Sequence, residues 1–167
     1  MRLLRISLLS ATLAGLAGAS ASLVLGMVAP HEASASVSIA VAFDALVKDA
    51  DAVAIVTPVE SKSVWEDGRI YTYTRLKVEQ GVAGELATGS EGWVRTMGGV
   101  VGKIGQLVDG EAVFTSGKSS LVFLRKFKEG GTWEIAARAQ GQYPVVADPS
   151  ATDAKARKLI RSASVGV

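Results

Sequence analysis

Aromatic and basic residues in the middle of the chain are the side chains best suited to contact a ligand. Four of them occupy alternate positions of one segment: Tyr71, Tyr73, Arg75 and Lys77. Alternate residues of a β-strand point to the same face, and Lys62 is expected opposite Tyr73 on the preceding strand. Such rows provide stacking surfaces for oligosaccharides or single-stranded nucleic acids. Tyrosine also favours any half-exposed strand, so the alternative is an ordinary sheet surface.

Closely spaced glycines form a second candidate contact region, at Gly98, Gly99 and Gly102. A glycine-rich loop allows the backbone to approach a ligand closely. This spacing, however, matches neither the dinucleotide-binding fingerprint nor the phosphate loop. Glycines between strands more often mark bulges or turns with positive φ. We keep the three glycines as candidate binding residues and expect their main role to be structural.

The residue types present exclude most catalytic machinery. The chain contains no cysteine, and its only histidine, His31, lies in an N-terminal segment that we expect to be removed. Serine–histidine triads, cysteine–histidine pairs and zinc sites built on histidine or thiolate are therefore excluded. Carboxylate pairs, serine–lysine dyads and hard cations bound by oxygen remain. We expect no catalytic residue, no metal and no cofactor.

Residues 112–119 (AVFTSGKS) match a relaxed form of the phosphate-loop pattern. A working phosphate loop needs interior glycines and a helix directly after its lysine. Here an apolar run follows, at 121–124 (LVFL), so we interpret the segment as a turn before a core strand. Lys118 and Ser119 are not expected to form a catalytic pair, because neighbouring strand residues point to opposite faces.

The N-terminus has the pattern of an export signal. Arg2 and Arg5 precede an uncharged apolar run at 6–29, and residues 33–35 (ASA) form a small-x-small cleavage site. We expect a signal peptide at 1–35, cleavage after Ala35, and a secreted or periplasmic product without membrane attachment. The alternative is an uncleaved anchor, because the run is long enough to span a bilayer. The remaining charges are nearly balanced, so nucleic acid is not an expected partner.

Short strands separated by turn signals predict a mainly β domain at 36–147, built as a small antiparallel barrel or sandwich. Two-residue turn signals occur at Asp67-Gly68, Asp109-Gly110 and Gly130-Gly131. We expect a hairpin around each of them. The second hairpin pairs 104–108 with 111–115, and the third pairs 121–127 with 133–137.

Other patterns place the remaining strands and one loop. The apolar run at 52–56 (AVAIV) predicts a buried strand, and Pro58 marks its bend or an edge position. A last strand is expected at 143–146. The polar stretch at 81–92 shows no periodicity and predicts a mobile surface loop, which is a further candidate contact.

The first hairpin has a predictable register. With Asp67-Gly68 as the turn, Glu66 faces Arg69 and Lys62 faces Tyr73. Continuing the ladder places Glu60 opposite Arg75 and Val59 opposite Leu76. The tyrosine face then points to solvent. The opposite face points to the core and carries four large apolar side chains: Trp65, Ile70, Leu76 and Val78.

Two helices are expected to flank the β-domain. The first covers 41–51 and places Phe43, Leu46 and Val47 on one face. The second is a basic C-terminal helical tail at 148–167, with Pro149 in its first turn. We expect this tail to be a solvated helix lying against the barrel; the alternative is a surface that attracts acidic partners.

Four segments resemble motifs of a family of uncharacterised exported bacterial β-rich proteins. They are a W-E-x-x-R-I-Y-T hairpin (65–72), a T-x-G-G-x-V-G segment (96–102), a G-x-x-x-L-x-F-L strand (117–124) and a Q-G-x-[FY] step (140–143). The likeness, which covers 43–146, implies a barrel similar to the oligonucleotide/oligosaccharide-binding (OB) type, a fold also used by netrin-like metalloprotease inhibitors. Those inhibitors depend on an N-terminal cysteine and disulfides, which this chain lacks, so fold analogy does not carry inhibition across.

The expected function is therefore that of an exported, non-catalytic binding module for a protein or polysaccharide partner. The tyrosine face and the glycine-containing loops at 81–92 and 98–105 are its candidate contacts. One alternative is an inhibitor or accessory partner of a secreted protease. Another is a histidine-free hydrolase, which requires two carboxylates about 5 to 10 Å apart in a cleft.

Overall fold

The computed structural model describes residues 39–127, 131–153 and 156–161, and the expected signal peptide lies outside them. The described residues form one α-helix, one 3-10 helix and nine strands. In chain order these are α1 Phe43–Asp49, β1 Ala52–Glu66, β2 Arg69–Gly84, β3 Glu91–Met97, β4 Gly99–Val101, β5 Ile104–Gln106, β6 Ser120–Phe127, β7 Thr132–Ile135, the 3-10 helix Arg138–Gly141, β8 Gln142–Ala147 and β9 Arg157–Leu159. The predicted mainly β fold is confirmed. None of the described helices is long and apolar enough to cross a membrane.

Seven strands form one sheet in the order β1-β2-β3-β7-β6-β8-β9. β1 also pairs with β6, so five of these strands form a partly closed ring. The β3–β7 pair is parallel, whereas the other pairs of the ring are antiparallel. β4 and β5 form a separate two-stranded hairpin.

The core fills the interior of the ring with small and branched side chains from alternate positions. On β1 the buried residues at 52–56 are Ala52, Ala54 and Val56, because this part of the strand is paired with β2 on one side and β6 on the other. The buried strand predicted at 52–56 is therefore confirmed. The other strands of the ring contribute Leu76, Val78, Val94, Val122, Leu124 and Ile135.

The predicted N-terminal helix is confirmed, and it packs on the outside of the ring. Leu46 is fully buried and forms a second apolar cluster with Phe123 and Ala136. The ring of Phe43 meets that of Phe123 edge to face at 5.6 Å. Val47, also predicted on the apolar face, remains half exposed.

The β1–β2 hairpin has the predicted register from the Glu66–Arg69 pair to the Glu60–Arg75 pair. The register then shifts by one residue, so Pro58 rather than Val59 lies opposite Leu76. A bulge at this point suits proline, which has no N–H for a regular ladder. Ile70, Leu76 and Val78 are buried as predicted, but Trp65 is 50% exposed. β6 pairs with β1 only at 52–56, so the distal part of β1 extends beyond it and Trp65 is not enclosed.

Two other predictions were wrong. The loop expected at 81–92 is shorter, because β2 continues through Gly84 along the start of β1 and β3 begins at Glu91. Asp109-Gly110 forms a turn but no hairpin, since β5 pairs with β4 around Gly102 instead. The segment at 111–115 is not a strand. It is held by the side chain of Gln142, which accepts the N–H of Val113 at 3.1 Å and donates to its carbonyl at 2.9 Å.

The C-terminal part of the domain confirms two predictions and corrects one. β6 and β7 form the third predicted hairpin, and β8 is the last strand predicted at 143–146, which pairs with β6 outside the ring. The described residues of the expected C-terminal helix, 148–153 and 156–161, contain no helix, and Arg157–Leu159 forms β9, which pairs with Val145–Ala147 of β8. The free edge of β8 offers backbone hydrogen bonds that outweigh a weak local helix preference. Residues 154–155 and 162–167 of that expected helix lie outside the described residues.

Candidate functional site

The structure brings the predicted tyrosine and basic residues together on the outer face of β2. Tyr73 lies opposite Lys62 of β1, as expected. Arg75 is neutralised on both sides, because its guanidinium pairs with Glu60 at 2.9 Å and with Glu91 at 2.7 Å. Lys77 is exposed opposite Glu91. The basic charge of this row is therefore largely balanced within the sheet.

Arg95 organises this face, and the sequence interpretation missed it. It lies on β3 opposite Tyr73. Its guanidinium carbon lies 3.4 Å from the centroid of the Tyr71 ring and 4.4 Å from that of Phe127. Only 10% of its side chain is exposed. Arg95 is therefore sandwiched between two aromatic rings, a geometry in which cation–π attraction adds to its ion pairs.

Two carboxylates complete the surroundings of Arg95. Nε and Nη2 each donate to Glu66 Oε2 at 3.2 Å, and Nη1 donates to Glu134 Oε1 at 3.4 Å. Burial is the largest single influence and acts to lower the pKa of Arg95, but the hydrogen bonds and charge of Glu66, together with Tyr73 and Tyr71, outweigh it and raise that pKa. Tyr73 donates its hydroxyl to the same Glu66 oxygen at 3.0 Å. Burial, followed by this carboxylate, raises the pKa of Tyr73 above 10.0, so the phenol remains a neutral donor.

Cross-strand pairing extends the network across the outer face of the ring. Glu134 of β7 lies opposite both Arg95 of β3 and Arg125 of β6. Arg125 Nη2 donates to Glu134 Oε2 at 3.4 Å and Nη1 lies 3.7 Å from Asp49. The predicted aromatic row is thus part of a satisfied polar network, not a bare stacking platform.

A pocket of about 310 Å³ opens beside the Arg95 network. Its charged lining consists of four arginines and two glutamates: Arg69, Arg95, Arg125, Arg138, Glu111 and Glu134. Arg69 and Arg138 are exposed and form no salt bridge with another described residue. Burial raises the pKa of Glu111 above 4.5, against the opposing effect of the backbone N–H groups of Ala112 and Met97.

The backbone that carries Arg138 is strained and firmly held. Ala137 and Arg138 both adopt left-handed conformations, with φ of 53° and 55°. The next residues are buried, and the N–H of Ala139 donates to the carbonyl of Gly110 at 3.1 Å. A side chain at Gly141 would overlap the carbonyl of Ala136, so this turn also requires glycine there. Strained non-glycine residues are concentrated at functional sites, but no local sequence signal identifies this pair.

The predicted glycines lie elsewhere and have structural roles. All three have positive φ: Gly98 at 93°, Gly99 at 132° and Gly102 at 61°. A Cβ at Gly99 would lie 2.5 Å from Ser63 Oγ and would also overlap the hydroxyl of Thr72. Thr72 is on the face of β2 opposite the tyrosines, and Gly102 lies in the β4–β5 turn. The structure therefore does not bring the glycines to the arginine-lined pocket.

A larger open groove of about 940 Å³ lies between residues 113–120 and the β8–β9 pair. Ser119 lines it and donates its hydroxyl to Glu79 Oε1 at 2.6 Å. This bond, with the one from Thr57, lowers the pKa of Glu79, and Arg157 pairs with its other oxygen at 3.2 Å. Ser119 is thus bound to a carboxylate, which fits the interpretation of residues 112–119 as a turn and not a catalytic or phosphate-binding loop.

Among the residues that the structure describes, no group of three or more acidic, histidine or cysteine side chains could hold a metal ion. Comparison with protein-family models, with curated proteins and with solved structures finds no match to this chain. The geometry of the site is therefore the basis for a functional proposal.

Proposed function

We propose that the protein is an exported, non-catalytic binding module that holds a polysaccharide partner on the outer face of β2 and β3. The observation that carries this proposal is the pocket beside the Tyr71–Arg95–Phe127 stack. The pocket is concave and polar, and three of its lining side chains, Arg95, Arg125 and Glu134, are already hydrogen-bonded. Protein–protein interfaces have apolar centres depleted in charge, whereas this surface offers planar hydrogen-bonding groups around a volume suited to a small polar unit.

The topology of the ring supports the same proposal. Five strands, with a parallel pair between β3 and β7, favour assignment to the OB type of barrel. Barrels of that type bind oligosaccharides and oligonucleotides on the face of their second and third strands, next to the loop between strands 1 and 2. Here Arg69 immediately follows the Asp67-Gly68 turn and lines the pocket. Export is proposed from the pattern at 1–35.

Affinity electrophoresis against a panel of neutral and acidic polysaccharides tests the proposal. We expect at least one polysaccharide to retard the protein, and Tyr71→Ala to weaken that binding about three- to tenfold because one wall of the pocket is lost. Trp65→Ala is the matched control, since it removes an exposed aromatic ring from the opposite face of the hairpin. Retardation by no polysaccharide, or an equal loss in both variants, would contradict the proposal. Urea unfolding of each variant separates lost binding from lost folding.

One observation favours a second candidate, the histidine-free hydrolase. Glu111 and Glu134 line the same pocket, and burial raises the pKa of Glu111 while two arginines pair with Glu134. Glycosidases use a carboxyl group with a raised pKa as general acid beside a second carboxylate. In this alternative the retained polysaccharide is cleaved and Glu111→Gln abolishes cleavage. A binding module leaves the polymer intact, as size-exclusion chromatography of the polysaccharide after incubation would show.

A further inference from the structure

The arginines of the pocket fall into two groups that differ in how their charge is used. Arg95 and Arg125 pair with carboxylates of the protein, at distances between 3.2 and 3.7 Å. Arg69 and Arg138 line the same pocket without a salt bridge to any other described residue. Arg138 interacts electrostatically with Glu111. Both guanidinium groups can nevertheless pair with an incoming anion without breaking a salt bridge.

The charge balance of the pocket is positive. Four guanidinium groups face two carboxylates. Glu134 is shared between Arg95 and Arg125, which also pair with Glu66 and Asp49 from outside the pocket lining. The lining charges that form no salt bridge with another described residue are therefore two arginines and one carboxylate: Arg69, Arg138 and Glu111. An anionic group entering the pocket would thus meet uncompensated positive charge.

The fold holds Arg138 at the rim in an unfavourable backbone conformation. Left-handed backbone is unfavourable for residues other than glycine, and here two successive residues adopt it, Ala137 and Arg138. The 3-10 helix that begins at Arg138 is anchored by Gln140, whose side chain accepts the N–H of Val41 at 2.7 Å and donates to the carbonyl of Ile39 at 2.9 Å. The backbone position from which the Arg138 side chain extends is therefore set by the fold before any ligand binds.

We infer that Arg69 and Arg138 bind the carboxylate of an acidic sugar unit, so that the protein recognises uronic-acid-containing polysaccharides. This inference rests on the proposed polysaccharide-binding function and adds the chemical class of the ligand. Guanidinium groups match the planar geometry of a carboxylate and can donate two parallel hydrogen bonds to it. Tyr71, whose ring forms part of the same pocket, provides a wall for the sugar ring.

Calorimetric titration of the full chain with oligogalacturonate, and with the same oligomer as its methyl ester, tests this inference. The ester keeps the sugar rings and removes the negative charge. We expect the acid form to bind at least about tenfold more tightly than the ester. We also expect Arg69→Gln and Arg138→Gln each to weaken binding of the acid form about tenfold, the usual effect of losing one charge-assisted hydrogen bond.

Lys48→Gln and Lys103→Gln are matched controls, because each removes one positive charge from an exposed position outside the pocket. Both controls should leave the affinity unchanged within about twofold, since distant surface charges are screened by salt. A general electrostatic attraction would instead weaken binding equally in all four variants and overturn the inference.

The other outcomes separate this inference from the function on which it rests. Equal affinity for acid and ester, with no effect of the two arginine variants, would overturn carboxylate recognition and leave polysaccharide binding intact. A poly-glutamate peptide that binds as tightly as oligogalacturonate, with the same dependence on Arg69 and Arg138, would overturn the sugar assignment in favour of an acidic protein. Failure of every polysaccharide in the panel would reject both proposals.

Discussion

Replacing Arg95 by methionine removes the cation that the outer-face network shares while keeping an apolar side chain of similar length. Glu66 and Glu134 then lose their common partner, and the rings of Tyr71 and Phe127 lose the group stacked between them. The side chains of the two carboxylates remain 34% and 24% exposed, so water compensates part of the loss. The loss of unfolding free energy should therefore lie between that of breaking an exposed ion pair and that of breaking a buried one.

The magnitude follows from those limits. An exposed ion pair contributes about 0 to 1 kcal/mol, and breaking a fully buried one costs about 3 to 5 kcal/mol. Because Arg95 is nearly buried and its partners are not, each carboxylate contact should contribute about 1 kcal/mol. The aromatic contacts add about 1 kcal/mol. We therefore expect Arg95→Met to lower the free energy of unfolding by about 3 kcal/mol, equivalent to a fall in Tm of about 10 °C.

Urea unfolding followed by tryptophan fluorescence measures this change through the midpoint of the transition at constant slope. Arg125→Met is the matched control. Arg125 is 47% exposed, with contacts of 3.4 and 3.7 Å, so its loss should cost less than about 1 kcal/mol. Arg95→Lys keeps the charge but loses the planar guanidinium, so its loss of unfolding free energy should lie between those of Arg95→Met and Arg125→Met. If Arg95→Met costs no more than Arg125→Met, desolvation of Arg95 cancels its contacts and the reasoning is refuted.

Three further predictions concern the frame of the domain. Gly99→Ala should lower the free energy of unfolding by about 2 to 4 kcal/mol, because residue 99 has positive φ and the added methyl group overlaps two hydroxyl groups. Gly102 also has positive φ but faces open space, so Gly102→Ala, the control, should cost only about 1 kcal/mol. Urea unfolding measures both changes. Gln142→Leu should lower the free energy of unfolding by about 2 kcal/mol and speed amide exchange at Val113, whose N–H and carbonyl both lose their partner. Unchanged exchange would show that the Gln142 side chain does not hold the backbone of Val113. Burial raises the pKa of the Glu111 carboxyl above 4.5, so the unfolded state releases this proton at a lower pH than the folded state does. The free energy of unfolding of wild type, relative to that of Glu111→Gln, should therefore fall as the pH rises from the unfolded-state pKa to the folded-state pKa of Glu111. A difference independent of pH would contradict the buried state of this carboxyl.

Local turn chemistry and strand alternation predicted the β1–β2 hairpin because every interaction that sets its register lies within a few residues of the turn. Asp67 and Gly68 both adopt the positive φ that such a turn needs, and alternation then assigns each side chain to a face. The prediction failed for Trp65 because burial depends on which distant strand covers that part of the hairpin. The hairpin itself carries no information about the extent of β6.

The same limit explains why Arg95 was missed. It reaches the tyrosines through the β2–β3 pairing and its two carboxylates through β1 and β7, the latter across the parallel pair. In the sequence Arg95 is simply one more basic residue on a strand. Arg138 was missed for a different reason. Its left-handed conformation follows from the buried 3-10 segment around Gly141, and alanine or arginine at such positions gives no conformational signal.

The separation between paired and unpaired arginines also determines what each should contribute. A guanidinium that already pairs with carboxylates gains little free energy by pairing with a ligand, because binding would only exchange one partner for another. Replacing Arg95 should therefore lower the free energy of unfolding strongly. In variants that still fold, it should change ligand affinity mainly by moving Tyr71. Arg138 should show the reverse pattern, since it is exposed, forms no salt bridge with another described residue and interacts only electrostatically with Glu111, while Arg138→Gln keeps the same backbone conformation. Measuring unfolding free energy and ligand affinity on the same two variants would therefore distinguish a preorganised binding pocket from a charged surface that serves only the fold.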